Sequence, residues 1–320
     1  MAPASGLLFI LAEMHSLSEE IRRLAQEKNA VILAHYYTEG AVQDVADFVG
    51  DSLALAQKAA QTDADIIVMC GVHFMGETCK ILCPDKLVLI PDATATCSLA
   101  ESCPAEEFEA FVKAHPGHKV LSYVNTSAAT KAVTDVVVTS GNARRIVESF
   151  PADQPLIFGP DRNLGAYLNS VTGRQMILWD GCCHVHQRFS LAALQQLKRE
   201  HPEAKVLVHP ECPEPLVRLA DEVGSTAALL KYALSSEAEE FLVVTESGIL
   251  HEMQRSAPQK RFIPVPSTEG PGCNECNYMR QITLQKLRDC LLLGAPAIEV
   301  DAAVAAKALK PIQRMLELSK

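Results

Sequence analysis

The chain has no run of lysines and arginines, and its formal net charge is -10 over 320 residues. Nucleic acid and anionic membrane surfaces are held mainly by clustered cations, so both are poor partners for it. No apolar run approaches the roughly 18 residues that a membrane-spanning helix needs. The N-terminal apolar stretch, residues 6–12, is short, has no basic residue before it and is interrupted by Glu13. It reads as a lead-in helix rather than a signal peptide, and the cytoplasm is the expected compartment. Cys273-x-x-Cys276 has no second C-x-x-C to complete a zinc knuckle. The eleven cysteines are odd in number and scattered, which excludes a secreted disulfide scaffold as the first reading.

What remains is an ordinary globular composition, 48% apolar and 21% charged, long enough for two or three domains. Its organisation is a repeat. Residues 30–55 match residues 204–229 without a gap at nine positions, including His35/His209, Ala46/Ala220, Asp47/Asp221, Val49/Val223 and Gly50/Gly224. Midway between them lies a weaker copy, carrying Leu121, Asp135, Val137 and Ser140 opposite Leu33, Asp47, Val49 and Ser52. Each copy reads as four short strands separated by helical stretches. The strands fall at 31–34, 48–49, 66–69 and 87–90, then 120–122, 136–138, 156–158 and 176–178, then 206–208, 222–223, 241–244 and 262–265. Apolar runs alternating with helices predict α/β domains with parallel sheets. Ligands of such sheets bind beyond the carboxyl ends of the strands, and three sets of strand ends can face one site.

The cysteines keep step with the repeat. Beyond the fourth strand of each copy come Cys97, the pair Cys182-Cys183, and Cys273 with Cys276. One thiol per repeat suits an iron–sulfur cluster or a zinc ion, and three ligands leave a metal position open. Spacing alone does not decide between Cys182 and Cys183. Cys70, Cys79, Cys83 and Cys290 sit in apolar or helical contexts and are expected to pack in the core. The first strands end in His35 and Tyr37, Tyr123 and Asn125, and His209 and Glu211. Residues two apart on an extended segment share a face. Glu211 beside His209 is a candidate general base if a closed site raises its pKa. The second strands end at Ser52, Ser140 and Thr226, each expected to open a helix. Capping is the ordinary role of such hydroxyls, but helix starts also receive anions. A lyase, a zinc aldolase and a non-enzymatic iron–sulfur carrier are all compatible with these features.

Several segments together resemble the quinolinate synthase family over nearly the whole chain. They include Ala34-His35-Tyr36-Tyr37, Ala46-Asp47-Phe48-Val49-Gly50-Asp51-Ser52, Pro91-Asp92-Ala93-Thr94-Ala95-Thr96-Cys97 and Tyr123-Val124-Asn125. They continue with Phe158-Gly159-Pro160-Asp161-Arg162-Asn163, Cys183-His184-Val185-His186, Val208-His209-Pro210-Glu211 and Cys276-Asn277-Tyr278-Met279. The resemblance implies three pseudo-symmetric, three-layer αβα domains around a central [4Fe–4S] cluster. The expected domains are 1–103, 104–189 and 190–276, with helices in 277–320 packing back on the first. The implied ligands are Cys97, Cys183 and Cys276, with one iron open to act as a Lewis acid. Some members carry C-x-x-C-x-x-C at the third ligand. Here Gly270 stands at the first of those positions, and Cys273 is left as a thiol without an assigned role. The implied substrate-binding residues are His35, Ser52, Tyr123, Val124, Asn125, Ser140, His209, Pro210, Glu211 and Thr226. Glu211, Tyr37 and His35 are the expected catalytic groups. The implied reaction condenses iminoaspartate with dihydroxyacetone phosphate to quinolinate, releasing phosphate and water, for NAD biosynthesis. An L-aspartate oxidase or dehydrogenase is the implied source of the iminoaspartate.

Overall fold

The structure, a computed structural model, describes residues 4–270 and 274–320, so Cys273 lies outside the described residues. Twelve strands form three separate sheets, each with four parallel strands. The first holds β1 (Ala30–His35), β2 (Phe48–Gly50), β3 (Ile66–Cys70) and β4 (Leu87–Leu89). The second holds β5 (Lys119–Tyr123), β6 (Val136–Val138), β7 (Leu156–Gly159) and β8 (Ile177–Leu178). The third holds β9 (Lys205–Val208), β10 (Glu222–Val223), β11 (Glu240–Val244) and β12 (Arg261–Pro264). In every sheet the first strand lies between the second and the third, with the fourth outside the third. Every strand expected from the sequence is present, with ends shifted by at most one residue. Helices cross over between the strands, as parallel pairing requires.

The strands are short and apolar on both faces because helices cover both faces. In the third sheet Val206, Val208, Leu242 and Val244 face one core. Leu207, Phe241 and Val243 alternate onto the other. The first and second repeats instead share one continuous core that joins Leu33, Val68, Val137 and Phe158 to Leu287 and Ile312 of the C-terminal helices. Burying each such side chain contributes about 1.5–3 kcal/mol. The Leu284–Leu293 helix packs on the Ala4–Glu27 helix, while the Ala302–Leu318 helix lies against β6, the Ala128–Lys131 helix and the His73–Leu82 helix. The tail therefore spans the first and second repeats rather than resting on the first alone, because its buried stripe of Ala308, Ile312 and Met315 continues their shared core.

The third repeat meets the first through polar contacts. The buried Gln43 Nε2 donates to Tyr36 O and Thr38 O, both at 2.9 Å, and to Gly248 O at 3.1 Å. His251 Nε2 lies 2.8 Å from Asp44 Oδ1. Gly248 has to be glycine here, since a Cβ would stand 2.7 Å from Tyr37 Cα.

The repeated aspartates explain themselves at the amino ends of the sheets. Asp47 donates its N–H to Ile32 O at 2.9 Å and accepts from Ile32 N at 2.7 Å through Oδ2. Asp135 does the same with Val120 at 3.0 and 2.8 Å, and Asp221 with Val206 at 2.9 and 2.9 Å. Each aspartate thus braces the entry to its second strand against the first. Among the described residues no helix is long and apolar enough to cross a membrane.

Candidate active site

The carboxyl ends of the three sheets meet at one cavity. The first strand ends supply His35 and Tyr37, Tyr123 and Asn125, and His209 and Glu211. The second strand ends supply Ser52, Ser140 and Thr226, and the loops beyond the fourth strands supply Cys97, Cys183 and Cys276. Two expected site residues do not line its wall. Val124 is buried with its side chain on a smaller neighbouring cavity, its N–H bonded to Val138 O at 2.8 Å and its carbonyl accepting from Lys131 Nζ at 2.8 Å. Pro210 is buried between His209 and Glu211. Cys182 is off the wall as well, while its neighbour Cys183 is on it.

Capping falls on residues other than the expected hydroxyls. Asp51 caps the Ser52–Gln61 helix by accepting from Ala54 N at 3.0 Å. Ser225 caps the Thr226–Ser235 helix by accepting from Ala228 N at 3.3 Å. Ser140 lies in the turn before the Ala143–Glu148 helix, whose cap position is Asn142. The side chains of Ser52, Ser140 and Thr226 are left to the cavity.

Contacts across the repeats knit the wall together. Tyr37 OH lies 2.8 Å from the hydroxyls of both Thr226 and Thr245. Tyr123 OH donates to Glu211 Oε1 at 2.6 Å, a short charge-assisted bond. His209 Nε2 is 3.3 Å from Ser140 Oγ. His186 touches three partners: Glu211 Oε2 at 3.1 Å, Cys183 Sγ at 3.3 Å and Thr245 Oγ1 at 3.0 Å. Asn125 Oδ1 is a buried acceptor without a partner among the described residues.

The electrostatics correct one expectation. Burial does push the Glu211 carboxyl upward. The neighbouring His186 and His209, with hydrogen bonds from His186 and Tyr123, outweigh it and hold Glu211 down at about 2. A second buried carboxyl, Asp161, is pushed well up by burial and by the charge of Glu211. Burial lowers His35 to about 4 and His209 to about 3, against the pull of Glu211. Burial drives Tyr37 and Tyr123 well above the ordinary phenol value. At neutral pH Glu211 is thus an ionised carboxylate on the wall, His35 and His209 are neutral imidazoles, and Tyr37 and Tyr123 are phenol donors. No lysine or arginine lines the wall among the described residues.

Burial also pushes the free thiols up, Cys97 to about 12, Cys276 to about 11 and Cys183 well above its ordinary value. Cys276 adds to the rise of Cys97, and Cys97 to that of Cys183, so the three sense one another. Three soft donors of this kind lose their protons only beside a strong positive charge, which is the environment a metal supplies. Cys183, His186 and Glu211 also present ligand atoms that all lie within 4.8 Å of one another, an arrangement compatible with a metal cofactor. The other thiols follow expectation: Cys70, Cys79, Cys83 and Cys290 are buried in the core.

Residue-level reading missed His186, Asp161 and Glu246. The first had a signal, because Cys183-x-x-His186 puts both side chains on one turn. Asp161 and Glu246 had none, since each acts through its position beyond a third strand.

Residues 19–317 match the family described as quinolinate synthetase A protein. The chain belongs to that family. Proteins named quinolinate synthase are similar to it over most of its length. One from Thermosynechococcus vestitus is 56% identical over 300 residues, covering 93% of this chain and 94% of the relative. One from Trichodesmium erythraeum is 55% identical over 303 residues, covering 95% and 94%. One from Synechocystis is 54% identical over 299 residues, covering 93% and 94%. The shared cavity lies within the matched span.

Proposed function

We propose that this chain is a quinolinate synthase that condenses iminoaspartate with dihydroxyacetone phosphate, releasing phosphate and water, in NAD biosynthesis. The observation that carries the reading is the convergence of one cysteine from each repeat with nine polar strand-end residues on a single cavity wall. Cys97, Cys183 and Cys276 hold a [4Fe–4S] cluster. Bound there, it supplies a Lewis-acidic iron with one open position.

The chain's own residues bind, orient and move protons. The substrates are anionic and no lysine or arginine lines the wall among the described residues, so neutral donors hold them. Ser52, Ser140 and Thr226 offer hydroxyls, and His35 and His209 offer ring N–H groups. Ser52 and Thr226 are also the first residues of their helices, where free N–H groups favour carboxylate or phosphate. Asn125 Oδ1 takes a donor from the substrate, such as an imine N–H or a hydroxyl. Val124 and Pro210 act by fixing the backbone beside Asn125 and Glu211. Glu211 is the ionised carboxylate beside the reacting groups and takes the role of proton acceptor. Tyr123, bonded to Oε1, and His186, beside Oε2, are the adjoining relay positions. Tyr37 and His35, with rings 4.6 Å apart, donate to leaving or isomerising oxygen.

The test is anaerobic reconstitution, with iron and sulfide counted and quinolinate measured from freshly generated iminoaspartate and dihydroxyacetone phosphate. About four iron and four sulfide per chain and cluster-dependent quinolinate are expected. A loaded protein that forms no quinolinate overturns the reading. One observation favours a second reading, a single zinc ion on Cys183, His186 and Glu211. Metal analysis separates the two, because Cys97→Ser and Cys276→Ser would leave that zinc in place.

A further inference from the structure

The three sheets share a register, and it identifies equivalent positions beyond the third strands. Ala34 pairs with Cys70, Ser122 with Gly159 and Val208 with Val244. Two residues further on stand Val72, Asp161 and Glu246. Asp161 and Glu246 are both fully buried, and both are used in the same way. Asp161 Oδ1 accepts from Leu164 N at 2.7 Å, at the start of the Arg162–Thr172 helix, and its Oδ2 accepts from Cys183 N at 3.2 Å. Glu246 Oε2 accepts from Gly248 N at 2.7 Å, at the start of the Ile249–Ser256 helix, and its Oε1 accepts from Cys276 N at 3.0 Å and from Arg280 Nη2 at 3.2 Å. The first repeat has a different solution. Val72 has no acceptor, and the N–H of His73, which opens the next helix, donates directly to Ala95 O in the loop of Cys97 at 2.8 Å.

We infer that Asp161 and Glu246 are a matched pair of positioning residues for the metal centre, each tying a crossover helix to the backbone N–H of a ligand cysteine so that the thiol faces the cavity. The tie matters most where the loop is longest. The third runs from the end of β12 at Pro264 to Cys276, and there Arg280 adds a third bond to the same carboxylate. The inference rests on the proposal that Cys97, Cys183 and Cys276 hold a cluster.

The test uses the full chain, reconstituted anaerobically, with Asp161→Asn and Glu246→Met. Asparagine keeps the helix cap but turns an N–H2 toward the Cys183 N–H. Methionine keeps the reach of Glu246 and removes its acceptors. Glu77→Met is the control, since Glu77 Oε2 accepts from Ala128 N at 3.0 Å and, among the described residues, has no hydrogen bond to a cysteine loop. The readouts are iron release to a ferrous chelator and the melting temperature of the metal-free protein. Both variants are expected to release iron about tenfold faster than wild type, as loss of an outer partner of a metal ligand does. Their metal-free melting temperatures should match that of Glu77→Met, which releases iron at the wild-type rate. Release at the wild-type rate from both variants overturns the inference, as does faster release that merely follows lost stability in all three. A wild-type chain that takes up no iron and sulfide overturns the cluster proposal instead. Should a variant fail to fold, amide hydrogen exchange in the metal-free wild type reads the same ties. The Cys183 and Cys276 N–H groups should then exchange at least tenfold more slowly than that of Cys97, and equal rates overturn the inference.

Discussion

The two ends of the sheets obey different rules. At the amino ends, Asp47, Asp135 and Asp221 make the same two-bond brace three times over. At the carboxyl ends, equivalent positions carry His35, Tyr123 and His209, or Tyr37, Asn125 and Glu211. The aspartate is the same in all three copies where it braces two strands, whereas each of these sets of carboxyl-end side chains on the cavity differs in at least one copy. Architecture repeats because each sheet solves the same problem alone. Chemistry differs because the three strand ends divide one problem among them.

The largest effect should come from removing a thiol at the carboxyl end. Cys97→Ser, Cys183→Ser and Cys276→Ser are each expected to cut iron content to background and abolish quinolinate formation. A serine variant that keeps both would show that its repeat stands outside the shared site. Next comes Glu211→Gln, expected to lower kcat by roughly a hundred- to ten-thousand-fold with the melting temperature nearly unchanged. Near-normal kcat would remove Glu211 from proton transfer.

The third prediction concerns pH. Folding lowers the pKa of His35 to about 4 and of His209 to about 3 from an ordinary 6.5. The unfolded chain therefore binds more protons, and this contribution to stability is present above about pH 6.5 and lost as pH falls toward the folded values. Denaturant midpoints of the metal-free protein should show His35→Gln and His209→Gln with shallower acid slopes, each by up to about 1.4 kcal/mol per pH unit. Acid slopes equal to that of the wild type in both variants would mean that the imidazoles are not held neutral.

The smallest effect belongs to the amino ends. Asp47→Ala, Asp135→Ala and Asp221→Ala each strand a strand N–H, costing about 1–3 kcal/mol of stability and leaving kcat within about twofold. A tenfold loss of kcat in any of them would erase the division between the two ends.

The fold was legible because its signals are local. Apolar runs such as 206–208 between helical stretches report strands, and the repeated aspartates mark their register. The thiols and the polar strand ends were legible because they recur at the same phase of the repeat. Glu211 shows where this stops. Its place was readable, but the direction of its pKa depends on His186, which a loop brings to within 3.1 Å from a different repeat. Ser52 and Thr226 teach the same lesson on a smaller scale, since their freedom depends on which neighbour takes the cap. Asp161 and Glu246 are invisible to side-chain pattern because what they hold is backbone.

Because each lobe owns only a fraction of the cavity wall, whatever occupies it acts as mortar between them. Such an occupant binds the assembled form and not the parted one, so its binding energy adds to the cohesion of the whole chain. The seam that gains most is the polar one around Gln43, where only Tyr36 and Tyr37 of the first lobe are packed on the third lobe's apolar core among the described residues. Filling the cavity should therefore make the third lobe melt together with the other two.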